Sequence, residues 1–243
     1  MAQDLSCRVL TKEDDALHRS AKVMIARFPG NNSEHPASSQ WVIDNYGKML
    51  KDSRVSEVIH WSKSDTPITI VRNEAVKYAQ DHGVDILVMI DSDMQPDHIS
   101  KEIPSVKPFW DSSFDYWWEH HHQGPMLIAA PYVGPAPSEC PYIFKWKNRE
   151  SDHPNPDWQL EMFSREQAAE RAGFEEVPAL PTGLIFIDMR VFSGFQYEGK
   201  TITLPPPWFY YAYTDKYETH KSMTEDVAFT RDCHLLGVKV LVN

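Results

Sequence analysis

Cysteine is scarce in this sequence of 243 residues, which contains only Cys7, Cys140 and Cys233. The three are widely separated and odd in number, so they form neither the paired spacing of a zinc site nor a disulfide framework. Sparse, unpaired cysteine of this kind is typical of a reducing compartment, and we expect a cytoplasmic protein.

Long apolar runs are also missing from the chain. No segment approaches the roughly 18 consecutive apolar residues that a membrane-spanning helix needs. Residues Met1 to Leu10 contain no apolar run of signal-peptide length. The sequence therefore predicts no membrane span.

Positive charge is in deficit. Asp and Glu number 35 against 24 Lys and Arg, which gives a formal net charge of -11. Because nucleic-acid backbones require clustered Lys and Arg, we expect no nucleic-acid partner. A small phosphate-containing ligand is not excluded, since acidic residues can hold a divalent cation that neutralises it.

What remains is ordinary globular composition, with 42% hydrophobic and 24% charged residues. The length suits one α/β domain over residues 1–243, with 1–20 as a loosely structured lead-in. The segments that resemble strands are 21–28, 55–61, 86–90, 126–132, 184–187 and 238–242. The segments with helical spacing are 36–50, 66–82, 159–172 and 226–236. Residues 97–125 are predicted to form an insertion with room for one short helix, and residues 133–158 and 193–222 to form loops.

The clearest unit of regular structure lies between residues 55 and 90. Thr66 suits an N-cap and Pro67 the first helical position. Gly83 is a typical C-terminal stop for the helix between them. The apolar run Ile86–Ile90 follows, as expected for a strand buried on both faces. Strand, helix and strand in this order predict a βαβ unit of a parallel sheet.

Two carboxylates follow that buried strand directly, in the sequence Asp91-Ser92-Asp93. In an extended chain residues i and i+2 point the same way, so Asp91 and Asp93 can face one point. They would lie beyond the carboxyl end of a strand, where open α/β sheets bind ligands. Such hard oxygen ligands favour Mg²⁺ or Mn²⁺, which can bridge a diphosphate. The alternative is a simple turn, because Asp-Ser-Asp before Pro96 is also good turn chemistry.

Three segments, in order and spacing, resemble the core of GT-A glycosyltransferases. They are Arg72–Pro96, which joins an Arg-Asn pair to Asp-Ser-Asp, then Pro181–Ile187, and then Thr224–Phe229. The likeness is greatest to family-2-like transferases of bacterial and phage type. It implies an α/β, Rossmann-like GT-A fold with a mostly parallel central sheet flanked by helices.

The resemblance also implies roles for particular residues. Asp91 and Asp93 would hold Mn²⁺ or Mg²⁺. The positions expected to bind a UDP- or GDP-sugar donor are Arg27, Phe28, Pro29, Arg72, Asp91, Ser92 and Asp93. The positions expected on the side of the hydroxyl acceptor are Thr182, Gly183 and Trp208. For Arg72, a solvated helix face is an equally reasonable reading of the sequence.

Asp226 is the catalytic residue that the resemblance implies, with Glu225 beside it. As in inverting members of the family, Asp226 would deprotonate the acceptor hydroxyl. The same acids after Thr224 also suit a helix N-terminus, so that reading stays open. Family members often have a third metal ligand, commonly His, after the last strand. This sequence ends there, and His220 and His234 are candidates by position only.

Two other functions compete with sugar transfer. A nucleotidyltransferase of related fold usually has a glycine-rich, basic loop after the first strand. Here Arg27–Asn32 contains a single Gly and no Lys, which counts against that function. A non-catalytic carbohydrate-binding module would use the aromatic loops, such as Pro207–Tyr211, and would not need Asp91, Asp93 or Asp226.

Overall fold

A seven-stranded sheet forms the centre of the chain. The structure is a computed structural model that describes residues 20–29, 34–64, 67–103, 105–133, 140–147, 159–213 and 221–243. The strands are β1 (Ala21–Phe28), β2 (Val55–Ser62), β3 (Ile86–Asp91), β4 (Met126–Ala129), β5 (Phe144–Trp146), β6 (Leu160–Met162), β7 (Glu175–Glu176), β8 (Leu184–Asp188), β9 (Phe195–Tyr197), β10 (Lys200–Ile202), β11 (Ala212–Tyr213), β12 (Lys221–Met223) and β13 (Lys239–Val242). The α-helices are α1 (Pro36–Met49), α2 (Ile68–Asp81), α3 (His98–Glu102), α4 (Phe109–His120), α5 (Arg165–Ala169), α6 (Arg190–Ser193) and α7 (Glu225–Leu235).

The strand order in the sheet is β2-β1-β3-β8-β4-β13-β7. Strand β1 is parallel to β2 and β3, and β4 is parallel to β13. Strand β8 is antiparallel to both β3 and β4, and β7 is antiparallel to β13. The prediction of a mostly parallel, Rossmann-like α/β sheet flanked by helices is confirmed. In consequence, the carboxyl ends of β1, β3 and β4 share one edge of the sheet with the amino end of β8.

Each face of the sheet carries its own hydrophobic core. Successive side chains of a strand point to opposite faces, so Leu87 and Met89 of β3 pack towards α2 and α7. Ile86, Val88 and Ile90 pack towards α1 and α4. Burial on both faces explains why this strand reads as an unbroken apolar run.

Helix α2 begins one residue later than predicted. Pro67 is the N-cap residue and not the first helical one, while Thr66 lies outside the described residues. Gly83 ends the helix as expected, because its φ of 61° falls in the left-handed region that glycine adopts readily.

The insertion predicted over 97–125, with one short helix, contains more helix than expected, in α3 and α4. Residues Phe109 to His120 form a helix of 12 residues whose aromatic face is buried. Phe109, Trp110, Phe114 and Trp117 share that face and pack in the core. Aromatic residues have modest helix propensity, but burial of several large rings outweighs it.

Two other segments also differ from prediction. The single helix expected at 159–172 is the short strand β6 followed by α5, because Ser164 starts a new helix through a capping box with Gln167. The loop expected at 193–222 contains the paired strands β9–β10 and β11–β12. Among the described residues, no helix combines the length and the apolar character needed to cross a bilayer.

Candidate active site

The edge of the sheet at the carboxyl ends of β1 and β3, which we call the carboxyl edge, brings together three chain segments that are distant in sequence. Strand β3 ends at Asp91, whose backbone N–H donates to the carbonyl of Gly183 at 2.8 Å. Helix α7 begins at Glu225 beside them. A cleft of about 450 Å³ opens between these segments, and we call it the acidic cleft. Its lining residues are Phe28, Ile68, Arg72, Asp91, Ser92, Asp93, Thr224, Glu225 and Asp226.

Arg72 is the centre of the acidic cleft. Its Nη2 donates to both carboxylate oxygens of Asp91, at 2.8 and 2.9 Å. Its Nη1 donates to Glu225 Oε1 at 3.0 Å. The residue is only 2% exposed, and the rings of Phe28 and Phe209 lie 5.7 and 5.8 Å from its guanidinium carbon. Arg72 therefore ties the end of β3 to the start of α7, and its predicted contact with the nucleotide stays a prediction.

The three groups of this network shift one another's proton affinity. Burial raises the pKa of Asp91 above its ordinary value, and the nearby Arg72 opposes that rise only in part. Burial likewise raises the pKa of Glu225, again against the pull of Arg72. Burial alone would lower the pKa of Arg72, but the carboxylates of Asp91 and Glu225 outweigh it and the net direction is upward.

Negative charge exceeds positive charge in the acidic cleft. Among the described residues, four carboxylates line it, from Asp91, Asp93, Glu225 and Asp226, against the one guanidinium of Arg72. An anionic ligand entering this cleft alone would meet net repulsion. A diphosphate would therefore need a multivalent cation to accompany it.

The donor set suits a hard divalent cation that is shared with a ligand. Carboxylate oxygens are the ligands that Mg²⁺ and Mn²⁺ prefer, and Mg²⁺ is commonly held by one or two carboxylates plus phosphates and water. Asp93 is exposed, and each oxygen of Asp91 keeps a lone pair beyond its bond to Arg72. Within the part of the chain that the structure describes, no three His, Cys, Asp or Glu side chains form a preformed metal site. The geometry thus fits a cation completed by the ligand's own oxygens.

The structure describes one of the two candidates for a third metal ligand, and that one lies away from the acidic cleft. His220 lies outside the described residues. His234, in the last turn of α7, lies 3.6 Å from Glu176 and packs near the ring of Trp146. It does not line the acidic cleft.

Of the three residues at the end of β1, only Phe28 lines the acidic cleft. Its ring packs edge-on against Trp61, with centroids 6.1 Å apart. Arg27 forms an ion pair with Glu34, and burial lowers its pKa. Pro29 is half-buried. Their predicted contact with the nucleotide base stays a prediction.

Asn73 is a residue whose role the sequence did not reveal. Its Oδ1 accepts from the backbone N–H of Trp208 at 2.8 Å and of Phe209 at 3.2 Å. Its Nδ2 donates to the carbonyl of Phe209 at 2.8 Å. These hydrogen bonds of Asn73 connect residues Trp208 and Phe209 to α2, next to Arg72. The only sequence signal was its position in the Arg-Asn pair.

Trp208, predicted on the acceptor side, lies below the surface. It is 9% exposed, its Nε1 donates to the carbonyl of Leu204 at 2.9 Å, and its ring packs against Phe192. It lines a different cleft from the one that holds Asp93. A role in acceptor binding stays a prediction.

Thr182 and Gly183, the other residues predicted on the acceptor side, lie beneath Tyr132. Thr182 is fully buried, and its hydroxyl has no hydrogen-bond partner. A Cβ on Gly183 would lie 2.8 Å from the sulfur of Met94 and 2.9 Å from the ring of Tyr132. Glycine is therefore required there by close approach. Tyr132 was missed because its only signal is its place just beyond β4.

Comparison with known proteins supports the fold and goes no further. The chain matches no protein-family model and no curated protein. Among solved structures, it is similar to A197 from STIV, with a TM-score of 0.50 and 12% identity over 92% of this chain and 81% of A197. HddC from Yersinia pseudotuberculosis gives a TM-score of 0.29 and 10% identity over 77% of this chain and 85% of HddC. At such identities the likeness to A197 concerns the architecture alone, and the score of HddC adds nothing to it.

Proposed function

We propose that this chain is a metal-dependent glycosyltransferase, which moves a sugar from a nucleotide-diphosphate sugar to a hydroxyl acceptor. The observation that carries the proposal is the excess of carboxylates around one fixed guanidinium at the carboxyl edge of the sheet. Open α/β sheets bind ligands at this edge. A divalent cation would neutralise the excess carboxylates there, and the same cation would bind the oxygens of a diphosphate.

On the donor side, Asp91 and Asp93 would hold Mn²⁺ or Mg²⁺ against the diphosphate of a UDP- or GDP-sugar. The cation would neutralise the charge that builds on the diphosphate as it leaves. Arg72 fixes the orientation of Asp91 through two hydrogen bonds. Because its guanidinium lies between two carboxylates, Arg72 also reduces their mutual repulsion.

On the acceptor side, Asp226 would act as the general base. Its Oδ1 accepts from the backbone N–H of Val227 at 2.8 Å, which orients the carboxylate within the acidic cleft. The acceptor hydroxyl would give its proton to Asp226 while its oxygen attacks the anomeric carbon. The bond from that carbon to the diphosphate oxygen breaks, and the configuration inverts. Glu225, held by Arg72, fixes the first turn of α7.

The proposal is tested by thermal unfolding with ligands. UDP, GDP and their common sugar conjugates would each be added with Mn²⁺, with Mg²⁺ or with chelator. A ligand that binds only the folded state raises the melting temperature, by the equivalent of about 2.7 kcal/mol at a hundred times its Kd. We expect one nucleotide to stabilise the chain only with metal, and Asp93→Ala to abolish the effect.

The matched control is Asp111→Ala, which removes an acid from the exposed face of α4, where Asp111 pairs with Lys48 at 3.1 Å. This variant should keep the whole nucleotide effect. Stabilisation that survives in chelator would exclude the metal. If no nucleotide stabilises the chain under any condition, the proposal fails, and a non-catalytic carbohydrate-binding module becomes the better account.

A further inference from the structure

A second cleft, of about 620 Å³, shares Asp91 and Asp93 with the acidic cleft. Its volume falls within the roughly 300–1,000 Å³ of ordinary small-molecule sites. Away from the two carboxylates it extends between Tyr132, Tyr142 and the start of α4. We call it the tyrosine cleft. A molecule bound there would meet any ligand of the acidic cleft at the two shared carboxylates.

The two tyrosines are held side by side. The backbone N–H of Tyr142 donates to the carbonyl of Tyr132 at 3.0 Å, and the ring centroids are 5.3 Å apart with an interplanar angle of 66°. The ring of Tyr132 rests over Gly183, where a side chain would clash with it. Both tyrosines remain partly exposed. They present a fixed aromatic surface to the cleft.

The described residues of the tyrosine cleft offer little positive charge to an anion. The two basic side chains among them already face carboxylates, since Lys107 lies 3.4 Å from Asp115 and His98 lies 3.4 Å from Glu102. The opposite sign is in surplus, because Asp91 and Asp93 also line the cleft. A phosphate, sulfate or carboxylate group bound there would be repelled, and a divalent cation held together with a diphosphate would not remove this repulsion, because their charges cancel.

The carboxylate of Asp97, which also lines the cleft, is held by two uncharged donors. It accepts from Trp41 Nε1 and from the backbone N–H of Phe109, each at 2.7 Å. The residue has a φ of 59°, which is uncommon outside glycine. Its two hydrogen bonds hold the loop after Asp93 against α4, so that this wall of the cleft is fixed.

We propose that the tyrosine cleft binds an uncharged, hydroxyl-bearing sugar ring, which packs on Tyr132 and Tyr142, and that the nearby carboxylates exclude an anionic acceptor. The inference rests on the proposed function, because it names the acceptor class of that same site. Aromatic faces bind the apolar side of a ring, and the tyrosine hydroxyls can form hydrogen bonds with its hydroxyl groups.

The hydroxyl of Tyr132 can add a donor. Burial, and then the negative charges of Asp226 and Asp91, raise its pKa above the ordinary value for tyrosine. The group is therefore protonated throughout the neutral range. It can donate to an oxygen of a sugar bound in the tyrosine cleft.

The test is saturation-transfer NMR with defined sugars. The neutral probes are the methyl glycosides of glucose, galactose, mannose and N-acetylglucosamine, and the anionic probe is glucuronic acid. We expect saturation transfer to at least one neutral glycoside and none to glucuronic acid. No transfer to any neutral probe, or equal transfer to glucuronic acid, would overturn the inference.

Substitutions of the two tyrosines test whether the sugar binds in the tyrosine cleft. Tyr142→Ala should abolish saturation transfer, whereas Tyr142→Phe, which keeps the ring, should retain it. Tyr197→Ala, which removes a partly exposed tyrosine from β9, is the matched control and should leave binding unchanged. If Tyr142→Ala does not fold, Tyr132→Phe decides the question. Loss of one donated hydrogen bond should weaken binding about threefold to tenfold, and an unchanged affinity would contradict the inference.

The two proposals fail in different ways. If metal-dependent stabilisation by a nucleotide is present but no neutral sugar binds, the acceptor inference alone is wrong. If a neutral sugar binds through Tyr142 but no nucleotide stabilises the chain, the transferase proposal is wrong and the cleft is a carbohydrate-binding site. In Tyr142→Ala, the nucleotide effect should persist, because this side chain does not line the acidic cleft.

Discussion

At each edge of the central sheet an aspartate pairs with an arginine and one partner of the pair is buried, but the two edges differ in their charge balance. At the edge opposite the carboxyl ends of β1 and β3, which we call the amino edge, Asp188 accepts from Trp117 Nε1 at 2.8 Å, from Arg190 Nε at 2.9 Å and from the backbone N–H of Arg190 at 3.0 Å. Arg190 pairs with Asp188 there, and Asp85 is the other carboxylate that the described residues place in the cleft at this edge. At the carboxyl edge, Arg72 faces Asp91 and Glu225, with two further carboxylates beside them.

The comparison suggests different roles for the two ion pairs: Asp188–Arg190 stabilises the fold, whereas Arg72 and its partners belong to the candidate site. Asp188 and Arg190 are two residues apart, and their charges cancel. Arg72 joins segments 19 and 153 residues away, and negative charge remains after every contact that it makes. We therefore expect the carboxyl edge, where the described carboxylates outnumber the one guanidinium, to be the edge that binds a ligand.

The largest effect should come from the proposed base. Asp226→Asn removes the proton acceptor and should lower kcat by about 10²–10⁴-fold. The metal-dependent thermal stabilisation by the nucleotide should remain. Steady-state kinetics with the donor found in the thermal panel measures the change. Asp232→Asn, on the same helix, is the control and should keep kcat near the wild-type value. A comparable loss in both variants would mean that helix α7, and not the base, had been disturbed.

Substitution of the two arginines should lower the free energy of unfolding by different amounts at the two edges. Arg72→Met leaves Asp91 and Glu225 without their counter-charge and should cost about 3–5 kcal/mol in the free energy of unfolding. Arg190→Met should cost about 1–3 kcal/mol, because Asp188 keeps two other donors. Denaturant unfolding measures both. Equal costs would contradict the difference in charge balance between the edges.

A glycine substitution tests the close packing beneath Tyr132. Gly183→Ala would force Met94 and Tyr132 aside and should destabilise the chain by about 1–3 kcal/mol. Gly47→Ala, inside α1, meets no atom within 4 Å and should stabilise the chain by about 0.5–1 kcal/mol. Thermal unfolding should give shifts of opposite sign, and a neutral Gly183→Ala would show that this contact is loose.

The smallest effect on stability should come from Asp93. This carboxylate is exposed, so Asp93→Asn should change the free energy of unfolding, measured without metal, by less than about 0.5 kcal/mol. Asp188→Asn, which alters a carboxylate that is 1% exposed, should cost clearly more. A large cost for Asp93→Asn would mean that Asp93 supports the fold and not a ligand.

The sequence predicted the sheet and the place of the paired carboxylates well. The apolar run of β3 is long enough to identify a strand buried on both faces, and Asp91 must then lie at its carboxyl end. Apolar periodicity is a local property, so it can be read without the fold. The same property indicated no more than one short helix within 97–125, because adjacent aromatic residues obscure the helical period of Phe109–His120.

The contacts of the site could not be predicted in the same way. Nothing near Arg72 in the sequence indicates that its partner is Glu225, because the contact exists only once α2 and α7 lie on the same face of the sheet. The contacts of Asn73 and Tyr132 were not predicted from the sequence, for the same reason. Their contacts with the loop at Trp208 and with Gly183 are made across the fold.

The central claim is that the surplus of carboxylates at the carboxyl edge binds a divalent cation, and Mn²⁺ binding followed by electron paramagnetic resonance tests it most directly. The signal of free Mn²⁺ would be titrated against wild type, Asp93→Asn and Asp188→Asn, with Asp111→Asn as a surface control. We predict that wild type, Asp188→Asn and Asp111→Asn remove about one equivalent of free Mn²⁺, and that Asp93→Asn binds at least about tenfold more weakly, which corresponds to about 1.4 kcal/mol. No binding by wild type, or equal binding by Asp93→Asn, would contradict the account.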